Sequence, residues 1–167
     1  MDRILALLEQ AAARGARRVV FPELALPPFS PRWLLPPAGL EASTEPAMPN
    51  PAVQALFDRA RALGVGFSIG YAERAGEQVF NSAILVEPSG RTIGAYRKVH
   101  LPGSVEPRPG DRFQQLEKRY FAYGDRGFPT WRAPASLAGG VLGMLICNDR
   151  RWPEAWRMLG LQGVELV

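Results

Sequence analysis

The chain has one cysteine, Cys147, and one histidine, His100, among its 167 residues. A single thiol cannot close an intrachain disulfide, and one histidine beside one cysteine leaves too few ligands for a structural zinc site. No H-E-x-x-H spacing supports a histidine and carboxylate metal site either. Neither a secretory signal pattern nor an apolar run of about 18 residues occurs, which argues for cytoplasmic residence and against a membrane partner. Nor is there a basic tail. The formal net charge is +4, and the basic residues are scattered, with Arg14, Arg17 and Arg18 early, Arg97 and Lys98 midway, and Arg150 and Arg151 late. Without a basic stripe, zinc-finger spacing or an RNP-like strand, nucleic acid is not an expected partner. Internal repeats and a G-X-Y period are also missing. What is present is a globular composition, 47% hydrophobic and 22% charged, with enough residues for one domain or part of a larger one.

Hydrophobic spacing divides the chain into alternating elements. Asp2 to Arg14 carries Ile4, Leu5, Leu8 and Ala12 on one side, the pattern of a helix laid on a sheet, and Gly15 closes it. Arg17 to Glu23 reads as a short strand that leaves Glu23 at its C-terminal end. Leu24 to Pro51 is too rich in proline for regular structure, but its aromatic residues suggest a packed loop. Val53 to Leu63 predicts a second helix, and Val65 to Ala72 a strand. Val79 to Val86 pairs with that strand across Gly76-Glu77, and Thr92 to Tyr96 adds a third. Beyond a polar, proline-interrupted region from Leu101 to Pro134, Gly140 to Cys147 reads as a central strand and Pro153 to Leu161 as the helix it feeds. Val164 to Val167 has the character of a further strand. The apolar pattern is still running at both ends, so residues 1–167 are expected to form part of a domain. The alternation predicts a layered α/β or α+β arrangement.

Three reactive residue types fall just beyond predicted strands: Glu23, Lys98 and Cys147. A thiol needs a proton acceptor or a nearby cation to act as a nucleophile at neutral pH, and a carboxylate and an ammonium supply both. The lysine could also face a developing oxyanion, together with a backbone N–H at Asn148. The plain alternatives are a buried apolar cysteine, a strand-capping glutamate and a surface lysine. His100 offers a different partner for Cys147, a Cys-His pair in which imidazole is the base. Arg150 and Arg151 present a fork suited to a substrate carboxylate, or else pair with Asp149 and Glu154 in a solvated turn. Glu117 is a second candidate carboxylate, although Lys118 and Arg119 beside it give it the look of an exposed helix or turn.

Three ordered segments carry a resemblance to the carbon–nitrogen hydrolase, or nitrilase, superfamily: Val20-Phe21-Pro22-Glu23-Leu24, Tyr96-Arg97-Lys98-Val99-His100-Leu101-Pro102, and Leu145 to Glu154. Cys147-Asn148-Asp149-Arg150-Arg151-Trp152-Pro153-Glu154 and Phe113 to Phe121 resemble N-carbamoyl-D-amino-acid hydrolases in particular, with Gln115 a departure where those proteins tend to carry histidine. The resemblance implies Glu23 as general base, Lys98 as oxyanion-stabilising lysine, Cys147 as nucleophile and Glu117 as an additional active-site glutamate. It further implies that Arg150 and Arg151, with Asn148, hold a small substrate bearing a carboxylate. The implied reaction releases a D-amino acid, ammonia and carbon dioxide through a thiocarbamoyl intermediate and uses no cofactor. An amidase, nitrilase or β-ureido acid hydrolase of the same superfamily is the alternative, and an inactive half-domain with a structural or interaction role is another. The implied fold is the N-terminal half of a four-layer αββα sandwich, lacking the first strand and the C-terminal half. When full length, such a protein is expected to be a homo-oligomer.

Overall fold

A computed structural model describes residues 1–26, 29–137 and 139–167. Helix α1 (Asp2–Ala13) and helix α3 (Gln54–Leu63) lie on one face of a four-stranded sheet, with a short helix α2 (Pro37–Glu41) in the loop between them. The sheet has the order β1 (Arg18–Val20), β2 (Gly66–Ala75), β3 (Gln78–Val86), β4 (Thr92–Arg97). β1 runs parallel to β2, reached through the long α2–α3 crossover, and the remaining pairs are antiparallel. The β2–β3 hairpin turns at Gly76-Glu77, where Gly76 has φ +63°, a conformation that glycine adopts without a Cβ penalty.

Alternation along β2 explains the core. Phe67, Ile69 and Tyr71 point to the helices, where they meet Leu8 of α1 and Leu56, Phe57 and Ala60 of α3. Phe57 and Phe67 meet edge to face at 5.1 Å. Fully burying a side chain such as Phe57 contributes about 1.5–3 kcal/mol, so this face fixes the register of the sheet. α3 stops at Gly64, which takes the left-handed conformation that closes the last turn.

Across the sheet, Ala83 and Tyr96 pack with Ile146, Trp131 and Met144. Trp131 belongs to β5 (Thr130–Arg132), which pairs antiparallel with β6 (Val141–Gly143) in a separate two-stranded sheet. The stretch from Gly140 to Cys147 is therefore not a central strand. Only 141–143 is laddered, and the rest is held by side-chain packing of Met144 and Ile146 instead of by sheet hydrogen bonds. Val164 to Val167 likewise provides only an isolated bridge from Leu166 to Leu142. The region from Leu101 to Pro134 contains two elements that composition hides, β5 and the one-turn helix α4 (Glu117–Tyr120). The described residues thus form an α/β arrangement of one helical layer, the main sheet, and the small sheet and loops on its far face.

The proline-rich loop is packed, as its aromatics suggest. Phe29, Leu35 and Leu40 rest on a cluster that includes Leu24, Leu116, Tyr120 and Phe121. The Tyr120 hydroxyl donates to the Trp33 carbonyl and accepts from the Leu35 N–H, both at 2.8 Å. Helix α5 (Pro153–Leu161) begins with proline at its first position and follows a 3-10 turn at Cys147–Arg151.

Candidate functional site

Glu23 reaches the sheet because β1 continues past its ladder and turns across β2. Phe21 N–H donates to the Ser68 carbonyl at 2.8 Å and Ala25 N–H to the Gly70 carbonyl at 2.9 Å. Between these anchors the chain crosses so close to Gly70 that a Cβ there would lie 2.6 Å from Leu24 N and 2.8 Å from Glu23 Cα. Leu24 itself has φ +47°, an uncommon conformation for a side chain branched at Cγ. Lys98 follows β4, with its N–H on the Asn81 carbonyl at 2.8 Å. Glu117 opens α4, and Cys147 opens the 3-10 turn with φ +47°. Non-glycine residues in this region cost of order 1–3 kcal/mol and concentrate at functional sites.

The structure brings the four candidate catalytic residues together. Lys98 Nζ donates to Glu23 Oε1 at 2.6 Å and to Glu117 Oε2 at 2.7 Å. The side chains of Lys98 and Glu117 are fully buried, and that of Glu23 is 16% exposed. Glu117 is therefore not the surface residue that its charged neighbours suggest; the one-turn helix points Lys118 and Arg119 to solvent and Glu117 inward. Burial pushes the lysine toward its neutral form, but the two carboxylates outweigh it and hold its pKa above the usual value. Burial, with the charge of Glu23, raises Glu117 despite Lys98 and Asn81. The Cys147 residue is exposed overall, yet partial burial of its sulfur and the adjoining Glu23 carboxylate raise the thiol pKa against the pull of Lys98. A thiol held above its ordinary pKa requires a base before the sulfur can attack, and the Glu23 carboxylate lines the same cavity. A cavity of about 270 Å³ lies between them, lined by Glu23 and Cys147 with Phe21, Ser68, Gly70, Ala83 and Met144.

Asn81 is a site residue that sequence reasoning missed. Its Nδ2 donates to Glu23 Oε1 at 2.7 Å and to Glu117 Oε2 at 3.2 Å. The available signal was a carboxamide within a largely apolar strand, Val79-Phe80-Asn81-Ser82-Ala83-Ile84.

His100 is engaged with Asp149. Its Nδ1 and its backbone N–H both meet Asp149 Oδ1, at 2.9 and 2.8 Å, and its ring stacks on Trp152 at 5.0 Å. Asp149 Oδ2 accepts from the Tyr96 hydroxyl at 2.7 Å and from the Ile146 N–H at 3.1 Å. Asp149, fully buried, thus clamps the turn that carries Cys147. The Asn148 side chain donates to the His100 carbonyl at 3.1 Å. Arg150 and Arg151 are exposed and stand outside the lining of the Glu23–Cys147 cavity. Gln115 lines a separate cleft with Arg108, Asp111 and Phe113. Among the described residues no cluster of three or more His, Cys, Asp or Glu could hold a metal ion, and no helix is long and apolar enough to cross a membrane.

Comparisons with known proteins bear on the family and the fold. The carbon-nitrogen hydrolase family model matches residues 1–167. An N-carbamoylputrescine amidase from Solanum tuberosum is 32% identical over 123 residues, covering 74% of this chain and 37% of that protein. A nitrilase from Pyrococcus abyssi is 34% identical over 164 residues, covering 96% of this chain and 54% of its own length. A carbon-nitrogen hydrolase from Helicobacter pylori superimposes with a TM-score of 0.77 at 28% identity, covering 99% of this chain and 52% of that one. The chain spans about half, or less, of the length of these relatives. With its buried Glu23–Lys98–Glu117 cluster beside Cys147 and a family match along its whole length, the chain belongs to the carbon-nitrogen hydrolase family.

Proposed function

We propose that the protein to which this chain belongs hydrolyses a carbon–nitrogen bond of a carboxamide or ureido group, with Cys147 as nucleophile. The observation that carries this reading is that Cys147 and Glu23 line one cavity, with the Glu23 carboxylate held at 2.6 Å by a fully buried lysine. Glu23 takes the proton from Sγ as sulfur attacks the carbonyl carbon and the C=O electron pair moves to oxygen. The ammonium of Lys98 has three N–H bonds, two of which are spent on Glu23 and Glu117; the third has no acceptor among the described residues and is available to the developing oxyanion. Glu23 then protonates the departing nitrogen. Water attacks the resulting thioester with Glu23 again as base, and the thiol is regenerated. A ureido substrate leaves its carbonyl as carbamic acid, which breaks down to ammonia and carbon dioxide.

The substrate class is drawn from two features. The wall of the Glu23–Cys147 cavity is largely apolar, which suits an uncharged amide or ureido group, and several similar proteins carry the name N-carbamoylputrescine amidase. A second reading, N-carbamoyl-D-amino acids, is favoured by the adjacent Arg150 and Arg151 on the Cys147 turn, where two guanidinium groups could receive a carboxylate.

Ammonia release by the 167-residue chain and by Cys147→Ala tests both readings, with butyramide, N-carbamoylputrescine and N-carbamoyl-D-phenylalanine as substrates. Cys147-dependent release from either of the first two supports the main reading. Release confined to the carbamoyl amino acid, and lost in Arg150→Ala or Arg151→Ala, supports the second. No release from any substrate would show that the 167-residue chain by itself does not form a working site, and would leave its family membership standing.

A further inference from the structure

Asn81 lies in the middle of β3 with 1% of its surface exposed. Its two N–H bonds go to Glu23 Oε1 and Glu117 Oε2, the same two oxygens that accept from Lys98 Nζ. Two carboxylate oxygens and two nitrogens therefore alternate around a closed ring. Chemistry fixes the orientation of the amide, because turned over it would set Oδ1 against two carboxylate oxygens with no hydrogen between them. The cost is visible at the other end: Oδ1 is buried without a hydrogen bond among the described residues. An asparagine kept only for strand packing would have no reason to leave its acceptor unsatisfied while placing both donors on carboxylates.

Two carboxylates around one ammonium leave a surplus negative charge in a buried ring. Burial favours protonating one of the two acids. A proton on Glu23 would prevent it from accepting the proton of Cys147, whereas a proton on Glu117 would not. The shorter Asn81 bond is the one to Glu23, and the other oxygen of Glu117, Oε1, is buried without a hydrogen bond among the described residues. We propose that Asn81 is a positioning residue that keeps Glu23 ionised and oriented beside Cys147, and so directs the surplus proton of the ring to Glu117. The inference rests on the reading of Glu23 and Cys147 as base and nucleophile.

The test is the pH dependence of Cys147 alkylation by iodoacetamide, followed by the mass of the intact chain, in wild type, Asn81→Leu, Asn81→Asp and Glu23→Gln. Thiolate formed through Glu23 gives an acid limb to the rate. Asn81→Leu removes both donors at similar volume and is expected to move that limb upward by about one pH unit, roughly a tenfold loss of rate below it. Asn81→Asp keeps the shape, adds a third acid to the ring and moves the limb the same way; it serves if the leucine variant does not fold. Turnover is expected to fall in kcat with KM little changed. Folded variants with the wild-type limb would overturn the role of Asn81 alone. A wild-type limb that persists in Glu23→Gln would overturn Glu23 as proton acceptor, and the role of Asn81 with it.

Discussion

Asp149 Oδ1 accepts two hydrogen bonds from His100, one from its backbone N–H and one from its ring Nδ1. The imidazole is thereby committed to a residue two positions after the nucleophile, with Trp152 against one face. Substituting His100 by Gln keeps the backbone bond and is expected to leave turnover within roughly tenfold of wild type, whereas Glu23→Gln removes the proposed proton acceptor and is expected to cost at least about 10²-fold. Comparing kcat/KM for the two variants decides between a glutamate base and a Cys-His pair; a collapse in His100→Gln equal to that in Glu23→Gln would restore the latter.

Asp149→Ala leaves the Tyr96 hydroxyl, the Ile146 and His100 N–H groups and the imidazole without their shared acceptor, all in or near a buried turn. We expect a loss of about 3 kcal/mol in denaturant unfolding, because orphaned buried donors keep their full desolvation cost. A loss below about 1 kcal/mol would show that water replaces the carboxylate there.

Gly70→Ala tests how Glu23 is delivered. The added Cβ meets backbone atoms of Leu24, Glu23 and Pro22 within 2.6 to 2.8 Å, and backbone cannot swing aside as a flexible side chain does. Displacing Glu23 by about an ångström is expected to cost about 10²-fold in kcat. Stability is expected to fall by about 1–3 kcal/mol, as for other overpacked sites. Wild-type turnover in a folded Gly70→Ala protein would mean that Glu23 tolerates a shifted backbone.

Glu73 sets an acid limit on stability. Burial raises its pKa, but hydrogen bonds from Arg97 and Ser82 and the charges of Arg97 and Arg126 outweigh this and hold it below the ordinary 4.5. For a carboxylate depressed in the folded state, the stabilisation is complete above the unfolded value and is lost as pH falls through the folded one. Melting temperature should therefore drop as pH falls below about 4.5, and Glu73→Gln should flatten that drop while lowering stability near pH 7. An equally steep acid limb in Glu73→Gln would assign it to other carboxylates.

The elements legible in the sequence are those whose hydrophobic period is long or whose turn chemistry is explicit. β2 and β3, with glycine in their turn, and α3, stopped by Gly64, follow directly from residue spacing. The nucleophile end of Gly140 to Cys147 was legible as an apolar run but not as an element, since a run of that length does not reveal whether it has ladder partners. Glu117 was legible as a candidate carboxylate, but its burial was hidden because a single helical turn has too few residues to display a face. Asn81 was hidden for a different reason: a polar residue in a strand reads as an interruption until its neighbours in space are known, and those neighbours come from residues 23, 98 and 117. Glu23, Lys98 and Cys147 were legible as strand-end residues, and their convergence is a property of the crossing at Gly70 and of the Asp149 clamp.

The Tyr120 hydroxyl spans the Trp33 carbonyl and the Leu35 N–H from the last residue of the turn that begins with Glu117. Peeling the 33–35 segment off the body would therefore strip Tyr120 of both partners and loosen the turn that keeps Glu117 out of water. Segments tied in this way open as one cooperative unit. Amide exchange at Leu35 and at Phe121, whose N–H rests on the Glu117 carbonyl, should then share a single opening free energy. Solvent would reach the buried carboxylate from that side at the frequency with which the proline-rich loop lifts.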